Sequence, residues 1–117
     1  MIDNIHKIIQ RATDILGAEN IHINIEDAFT DIYDVRFNYT TKNIDSEFKI
    51  ILSEHIFGFC HRFTYDNNIM SIVDMPRIDG QDGCLPYYYV HLKDVEALRS
   101  AVTQFCIALK MYEKRYV

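Results

Sequence analysis

The fold is decided by the stretch Ile56-Phe57-Gly58-Phe59-Cys60-His61-Arg62-Phe63-Thr64-Tyr65. Side chains of a strand point alternately to its two faces, so the odd positions place four aromatic rings and His61 on one face. The even positions make a mixed face with one charge, Arg62, near its end. This pattern predicts a strand in the middle of a sheet, with its aromatic face covered by other elements.

The segments around this stretch alternate in the same way. Strands are predicted at residues 20–25, 33–39, 48–52, 56–65, 69–75 and 87–91. The alternation of residues 33–39 is the clearest, and it indicates one buried and one wet face, as in antiparallel sheets. Residues 26–30 break the pattern of the first strand. Asp66-Asn67-Asn68 predicts the turn of a hairpin spanning residues 56–75, because Asp and Asn tolerate left-handed backbone.

Two amphipathic helices are predicted at the ends of the chain. Apolar residues recur at helical spacing from Asp3 to Leu16, with Asp3 as the N-cap and Gly17 at the C′ position. A longer helix follows the N-cap Asp94 and runs to about Lys114. The short connections predict an α+β fold: a single, largely antiparallel meander sheet of about five to six strands, with the N-terminal and C-terminal helices packed on one face.

Length and composition describe one globular domain over residues 1–117. The apolar share is 49% and the charged share 25%, and no apolar run approaches the ~20 residues of a membrane-spanning helix. An odd set of three widely spaced cysteines indicates reduced thiols and a cytoplasmic protein. The net charge of −5, without a basic stripe, argues against direct binding to nucleic acid or to an anionic membrane.

Metal and catalytic motifs are weak. The histidines and cysteines lack the closely spaced pairs of a structural zinc site, so no metal or cofactor is expected. Cys60 and Cys106 lie inside predicted regular elements and are expected to be small buried hydrophobic residues. Cys84 lies in a Gly/Pro-rich loop, but Asp-Gly-Cys-Leu-Pro matches no cysteine-enzyme signature. The chain is therefore expected not to be an enzyme.

The strongest functional signal is an acidic cluster with no base inside it: Glu26, Asp27, Asp31 and Asp34. Such a cluster steers a basic protein partner and orients it, although a solvated turn explains the same residues. The loop at residues 76–86, with Arg77, Asp79 and Asp82, is a second predicted contact. Tyr88 is a third, because tyrosine is enriched at interfaces, although an ordinary strand tyrosine explains it equally.

Two classes of function remain open. The first is a small acidic interaction module, of the inhibitor, immunity or chaperone type in bacteria or phages, that acts by binding another protein. The second is a small ligand-binding or enzymatic domain that uses the aromatic sheet face or the loop at residues 76–86. A homodimer is a further option, because residues 87–91 form a candidate unprotected sheet edge.

Overall fold

The computed structural model describes residues 2–29, 32–66, 68–70, 77–78 and 87–116. The elements in chain order are helix α1 (Ile2–Leu16), strands β1 (Ile21–Phe29), β2 (Ile32–Thr40), β3 (Ile44–Leu52), β4 (Phe57–Tyr65), β5 (Asn68–Met70), β6 (Arg77–Ile78) and β7 (Tyr87–His91), and helix α2 (Val95–Tyr116). The prediction of an α+β fold with an antiparallel sheet and a helix at each end is confirmed.

The sheet has the strand order β1-β2-β3-β4-β7-β6, and β5 also pairs with β4. Its body is the four strands β1 to β4, each nine residues long, which pair with their neighbours in sequence as an antiparallel meander. The predicted count was about five to six strands; beyond the four long ones, the described part of the chain has the short segments β5, β6 and β7. The long meander positions the side chains of both faces of the sheet.

One face of the sheet is buried beneath both helices. The core contains the apolar stripes of α1 and α2 together with alternate residues of the long strands: Ile5, Ile8, Ala12, Leu16, Val35, Phe37, Tyr39, Phe48, Ile50, Phe59, Phe63, Leu98, Val102, Phe105 and Leu109. Phe37 and Phe48 stack with ring centroids 4.7 Å apart, and Phe105 of α2 contacts Phe48 at 5.0 Å. The helices therefore share one core on one face of the sheet.

The aromatic face of β4 lies inside this core, as predicted. Phe59 and His61 are 0% exposed, and the His61 ring lies 4.4 Å from the ring of Phe105. Burial lowers the pKa of His61 from 6.5 to about 4, because the imidazolium form is poorly solvated there. Since the helices cover this face, it is not an open surface for a ligand.

Strand β1 is longer than its sequence pattern indicates. Residues 26–30 were predicted to end the strand, and this was wrong, because β1 continues through Phe29. Glu26 pairs with Asp34 and Asp27 with Tyr33, and the register becomes irregular only between Asp27 and Phe29. Hydrogen bonding to β2 extends the strand over residues with low intrinsic strand preference.

Two of the three predicted helix caps are found where the sequence placed them, and the third is not. Asp94 Oδ1 accepts a 2.8 Å hydrogen bond from the Ala97 N–H, which confirms the predicted N-cap of α2. Gly17 has a φ of 86° and its N–H donates to the Thr13 carbonyl, as a C′ glycine does. Asp3 was predicted to cap α1, but the helix begins at Ile2, so Asp3 lies in the first turn, where its charge favours the helix dipole.

Two long-range predictions have different outcomes. The hairpin after β4 is confirmed through Met70, with Tyr65 paired to Asn68 and Asp66 at a φ of 50°; residues 71–75 lie outside the described chain. Residues 87–91 were expected to be a candidate unprotected sheet edge, and this was wrong at Tyr87 and Tyr88, whereas no described strand pairs with the far side of residues 89–91. Strand β7 lies between β4 and β6, so its edge is occupied at Tyr87 and Tyr88.

Candidate functional site

The face of the sheet opposite the helices, here called the outer face, is polar. Alternation along the strands directs a mixed set of side chains to it: His22, Asn24, Glu26, Asp34, Arg36, Asn38, Glu47, Lys49, Cys60 and Arg62. The buried apolar residues of the same strands point the other way, toward α1 and α2. The outer face is therefore a polar, charged surface formed by the long strands.

Glu26 and Asp34 lie directly opposite each other on neighbouring strands. Glu26 is exposed and Asp34 is partly exposed. The Asn24 side-chain amide donates a 3.4 Å hydrogen bond to Glu26, and within the described residues neither carboxylate forms an ion pair. Like charges placed directly across a strand pair destabilise it, so the fold holds this acidic pair, Glu26 and Asp34, at a small cost.

At the centre of the outer face an acid lies beside bases, unlike the acidic pair. Glu47 accepts a 2.8 Å charge-assisted hydrogen bond from Arg62 Nη2 and lies 3.7 Å from Arg36 Nε. Lys49 is the cross-strand neighbour of Arg36 and adds a further base. The outer face thus carries the acidic pair at the end formed by β1 and β2, whereas on β3 and β4 the two acids Asp45 and Glu47 are matched by the two bases Lys49 and Arg62.

The free edge of β1 adjoins the acidic pair. The Thr40 N–H donates to the Asn20 carbonyl at 3.1 Å, so the even-numbered residues of β1 are those that exchange backbone hydrogen bonds with β2. The odd-numbered residues therefore direct their N–H and C=O groups to the free edge. Ile25, one of these, is 42% exposed although its side chain is on the helix-facing side.

The remaining predicted contacts are spread along the chain. Asp27 lies in β1 opposite Tyr33, whereas Asp31, Asp79 and Asp82 lie outside the described residues. Arg77 in β6 pairs with Tyr88 in β7, and Tyr88 also pairs with His61 of β4. Strand pairing therefore brings Arg77 and Tyr88 together, while strands β3 and β4 separate them from the acidic pair in the sheet order.

A described cleft also lies between the two helices. It is a cleft of about 650 Å³ lined by residues of α1 and α2: Lys7, Ile8, Gln10, Arg11, Asp14, Glu96, Arg99, Ser100, Val102, Thr103 and Gln104. Within its lining Arg99 contacts Glu96 at 3.0 Å and Gln10 donates to Asp14 at 2.8 Å, and the charged residues are of both signs. The cleft presents no concentration of one charge sign.

The described thiols are unsuited to nucleophilic chemistry. Burial raises the pKa of Cys60, and it raises the pKa of Cys106 from 9.0 to about 12, so both remain protonated at neutral pH. Cys84 lies outside the described residues. Among the residues described, no three His, Cys, Asp or Glu side chains are grouped so that they could hold a metal ion. No described helix has the length and apolar character needed to cross a membrane.

Sequence reasoning missed the Arg36–Glu47–Arg62 network on the outer face. These residues are far apart in sequence, and only the register of β2, β3 and β4 brings them together. The alternation of residues 33–39 already directed Arg36 outward, but nothing local identified Glu47 as its partner. No protein-family model matches this chain, and neither a curated protein nor a solved structure is similar enough to count as a match.

Proposed function

We propose that this chain is a protein-binding module of the inhibitor, immunity or chaperone type, which engages a basic surface of its partner through the β1–β2 end of the outer face. The observation that supports this most directly is the acidic pair, in which Glu26 and Asp34 are held opposite each other without an ion pair in the described residues. Asp27, Asp31 and the loop residues Arg77, Asp79 and Asp82, with Tyr88, remain further proposed contacts.

The charge repulsion within the acidic pair favours a role for it in binding another protein. The carboxylates repel each other in the free protein, and a basic partner would remove that repulsion as it binds. Glu47, on the same face, already has two arginines beside it. The acids at the β1–β2 end therefore have more to gain from an incoming cation than the charges at the centre. A reducing, cytoplasmic setting is part of the proposal, since Cys60 and Cys106 are free thiols.

A charge-matched comparison tests the proposal. The double variant Glu26→Gln with Asp34→Asn removes two acids at the proposed site, and Asp45→Asn with Glu54→Gln removes two exposed acids elsewhere. Each tagged protein is used to capture bound chains from its native host, and the captured chain is then purified for association kinetics at low and high salt. We expect the site variant to associate roughly tenfold more slowly at low salt, with the control unchanged. Equal kinetics for the wild type and both variants would show that the acidic pair is not the contact.

A further inference from the structure

We propose that two copies of this chain pair through strand β1, in an antiparallel register centred on Asn24, so that their sheets join into one continuous sheet. Strand β1 is at the end of the strand order, and no described strand pairs with its free edge. It is nine residues long and contains neither lysine nor proline, the residues that commonly protect natural sheet edges. Such an edge accepts another strand through backbone hydrogen bonds.

The backbone geometry of β1 selects the register. Its odd-numbered residues direct N–H and C=O groups to the free edge, because the Thr40–Asn20 hydrogen bond assigns the even-numbered residues to β2. The regular part of the strand runs from Ile21 to Asp27, since the pairing becomes irregular beyond Asp27. Asn24 is the midpoint of this segment. A two-fold symmetric pairing that uses the whole regular segment is therefore centred on Asn24.

The side chains of β1 are complementary to themselves in this register. His22 of one copy lies opposite Glu26 of the other, and the two Asn24 residues face each other. Ile25, which is 42% exposed in the single chain, lies opposite Ile23 of the second copy. Moving the centre to Ile23 or to Ile25 would separate His22 from Glu26. Of these three registers, only the one centred on Asn24 pairs the base His22 with the acid Glu26.

The expected affinity of the dimer follows from the size of the contact between the two β1 strands. The contact consists of only one strand from each copy, so we expect a weak dimer that depends on concentration. The single chain has a mass of 13.8 kDa, and the dimer has twice that mass. The two helix layers then lie on the same face of the joined sheet, and both acidic pairs remain on its outer face.

Sedimentation velocity measured over a concentration series tests the pairing. Ile25→Pro removes an N–H that points to the free edge and not to β2, so the single chain keeps its ladder while the dimer loses a hydrogen bond. Ile25→Thr is the matched control, since it keeps the N–H. We expect the wild type and Ile25→Thr to dimerise and Ile25→Pro to remain a monomer with an unchanged circular dichroism spectrum. A wild-type chain that stays monomeric up to about 1 mM overturns the proposal.

Cross-linking tests the register and does not depend on the proline variant. Opposite residues of a non-hydrogen-bonded pair have Cα atoms about 4.5 Å apart, a separation that a disulfide spans. Oxidation of Asn24→Cys should therefore give a covalent dimer. His22→Cys should not, because its two copies are offset by roughly 13 Å along the strands. The oxidised wild type controls for the native cysteines. A covalent dimer from His22→Cys but not from Asn24→Cys overturns the register.

Exchanging the charges at His22 and Glu26 gives a third test of the register. Both positions are exposed, so the core stays intact. His22→Glu should raise the dimer dissociation constant by roughly tenfold, because it places two acids opposite each other. Adding Glu26→Lys to this variant should restore dimerisation. A failure to restore it overturns the His22–Glu26 pairing. Ile25→Pro keeps both carboxylates of the acidic pair, so it should still bind the proposed basic partner, and the two proposals can fail separately.

Discussion

The Tyr39 hydroxyl donates a 2.5 Å hydrogen bond to Glu113 Oε2 and so ties strand β2 to the C-terminal part of helix α2. The Tyr39 side chain is 0% exposed, and Lys110 Nζ lies 3.5 Å from the same carboxylate oxygen. Burial, together with the adjacent carboxylate, raises the pKa of Tyr39 above its ordinary value of 10.0. The phenol therefore remains a protonated hydrogen-bond donor at neutral pH.

Tyr39→Phe should lower the free energy of unfolding by about 1.5 kcal/mol, because hydrogen bonds to charged groups contribute more than neutral ones. Glu113 keeps access to water and to Lys110, which holds the loss at the lower end of that range. Tyr33→Phe is the control, since Tyr33 packs beside the core without a described hydrogen bond from its hydroxyl. Urea titration measures both. Equal losses for the two variants would mean that the Glu113 contact contributes nothing specific.

His61 should make stability depend on pH below neutrality. Its pKa is lowered to about 4 in the folded chain, so between pH 6.5 and 4 the unfolded chain binds a proton that the folded chain does not. Stability is therefore unaffected by His61 above pH 6.5 and falls as the pH drops toward 4, by up to roughly 3 kcal/mol. His61→Phe should remove this part of the pH dependence while keeping an aromatic ring beside Phe105.

The measurement compares urea midpoints at pH 7.5 and pH 4.5 for the wild type, His61→Phe and His55→Gln. His55 is exposed, so its replacement should leave the wild-type pH dependence in place. Other titrating groups contribute equally to all three chains and cancel in the comparison. If His61→Phe loses as much stability on acidification as the wild type, the buried imidazole is not the cause.

Phe59→Ala should lower the free energy of unfolding by about 3–5 kcal/mol, because it removes a large side chain from a packed core. The Phe59 ring is 0% exposed and contacts Phe105 at a centroid distance of 5.6 Å. Phe57→Ala, on the same face of β4 but only partly buried, should cost less. A loss below about 1 kcal/mol for Phe59→Ala in denaturant titration would show that this strand is not central to the core.

Asp34→Asn should leave the fold intact and stabilise it by up to about 1 kcal/mol at low salt, since it removes the cross-strand repulsion with Glu26. The gain should shrink in 1 M salt, where exposed charges are screened within about 3 Å. Asp45→Asn, at an exposed position opposite Thr40 and Thr64, is the control and should show a smaller change. A loss of stability in Asp34→Asn would mean that this carboxylate has a stabilising contact instead.

Much of the local structure could be predicted because its causes are local. Asp94 caps a helix with its own side chain, and Gly17 ends one because it adopts a positive φ without strain. The candidate site was predicted only in part. The alternation in β2 directs Asp34 outward, but no local rule places Glu26 opposite it, because strand register depends on the partner strand.

The sequence by itself determined which residues are buried in β2, because a period of two assigns each side chain to one face of a sheet. In β4 it determined the buried aromatic face, but Gly58 and Cys60 on the opposite face are buried as well. It also determined both amphipathic helices, whose apolar stripes need a common cover. Only the tertiary structure decided that β1 extends through Phe29 and that β7 lies between β4 and β6. Those outcomes depend on hydrogen bonds between distant segments, and such pairing energies are not contained in the pattern of any one segment.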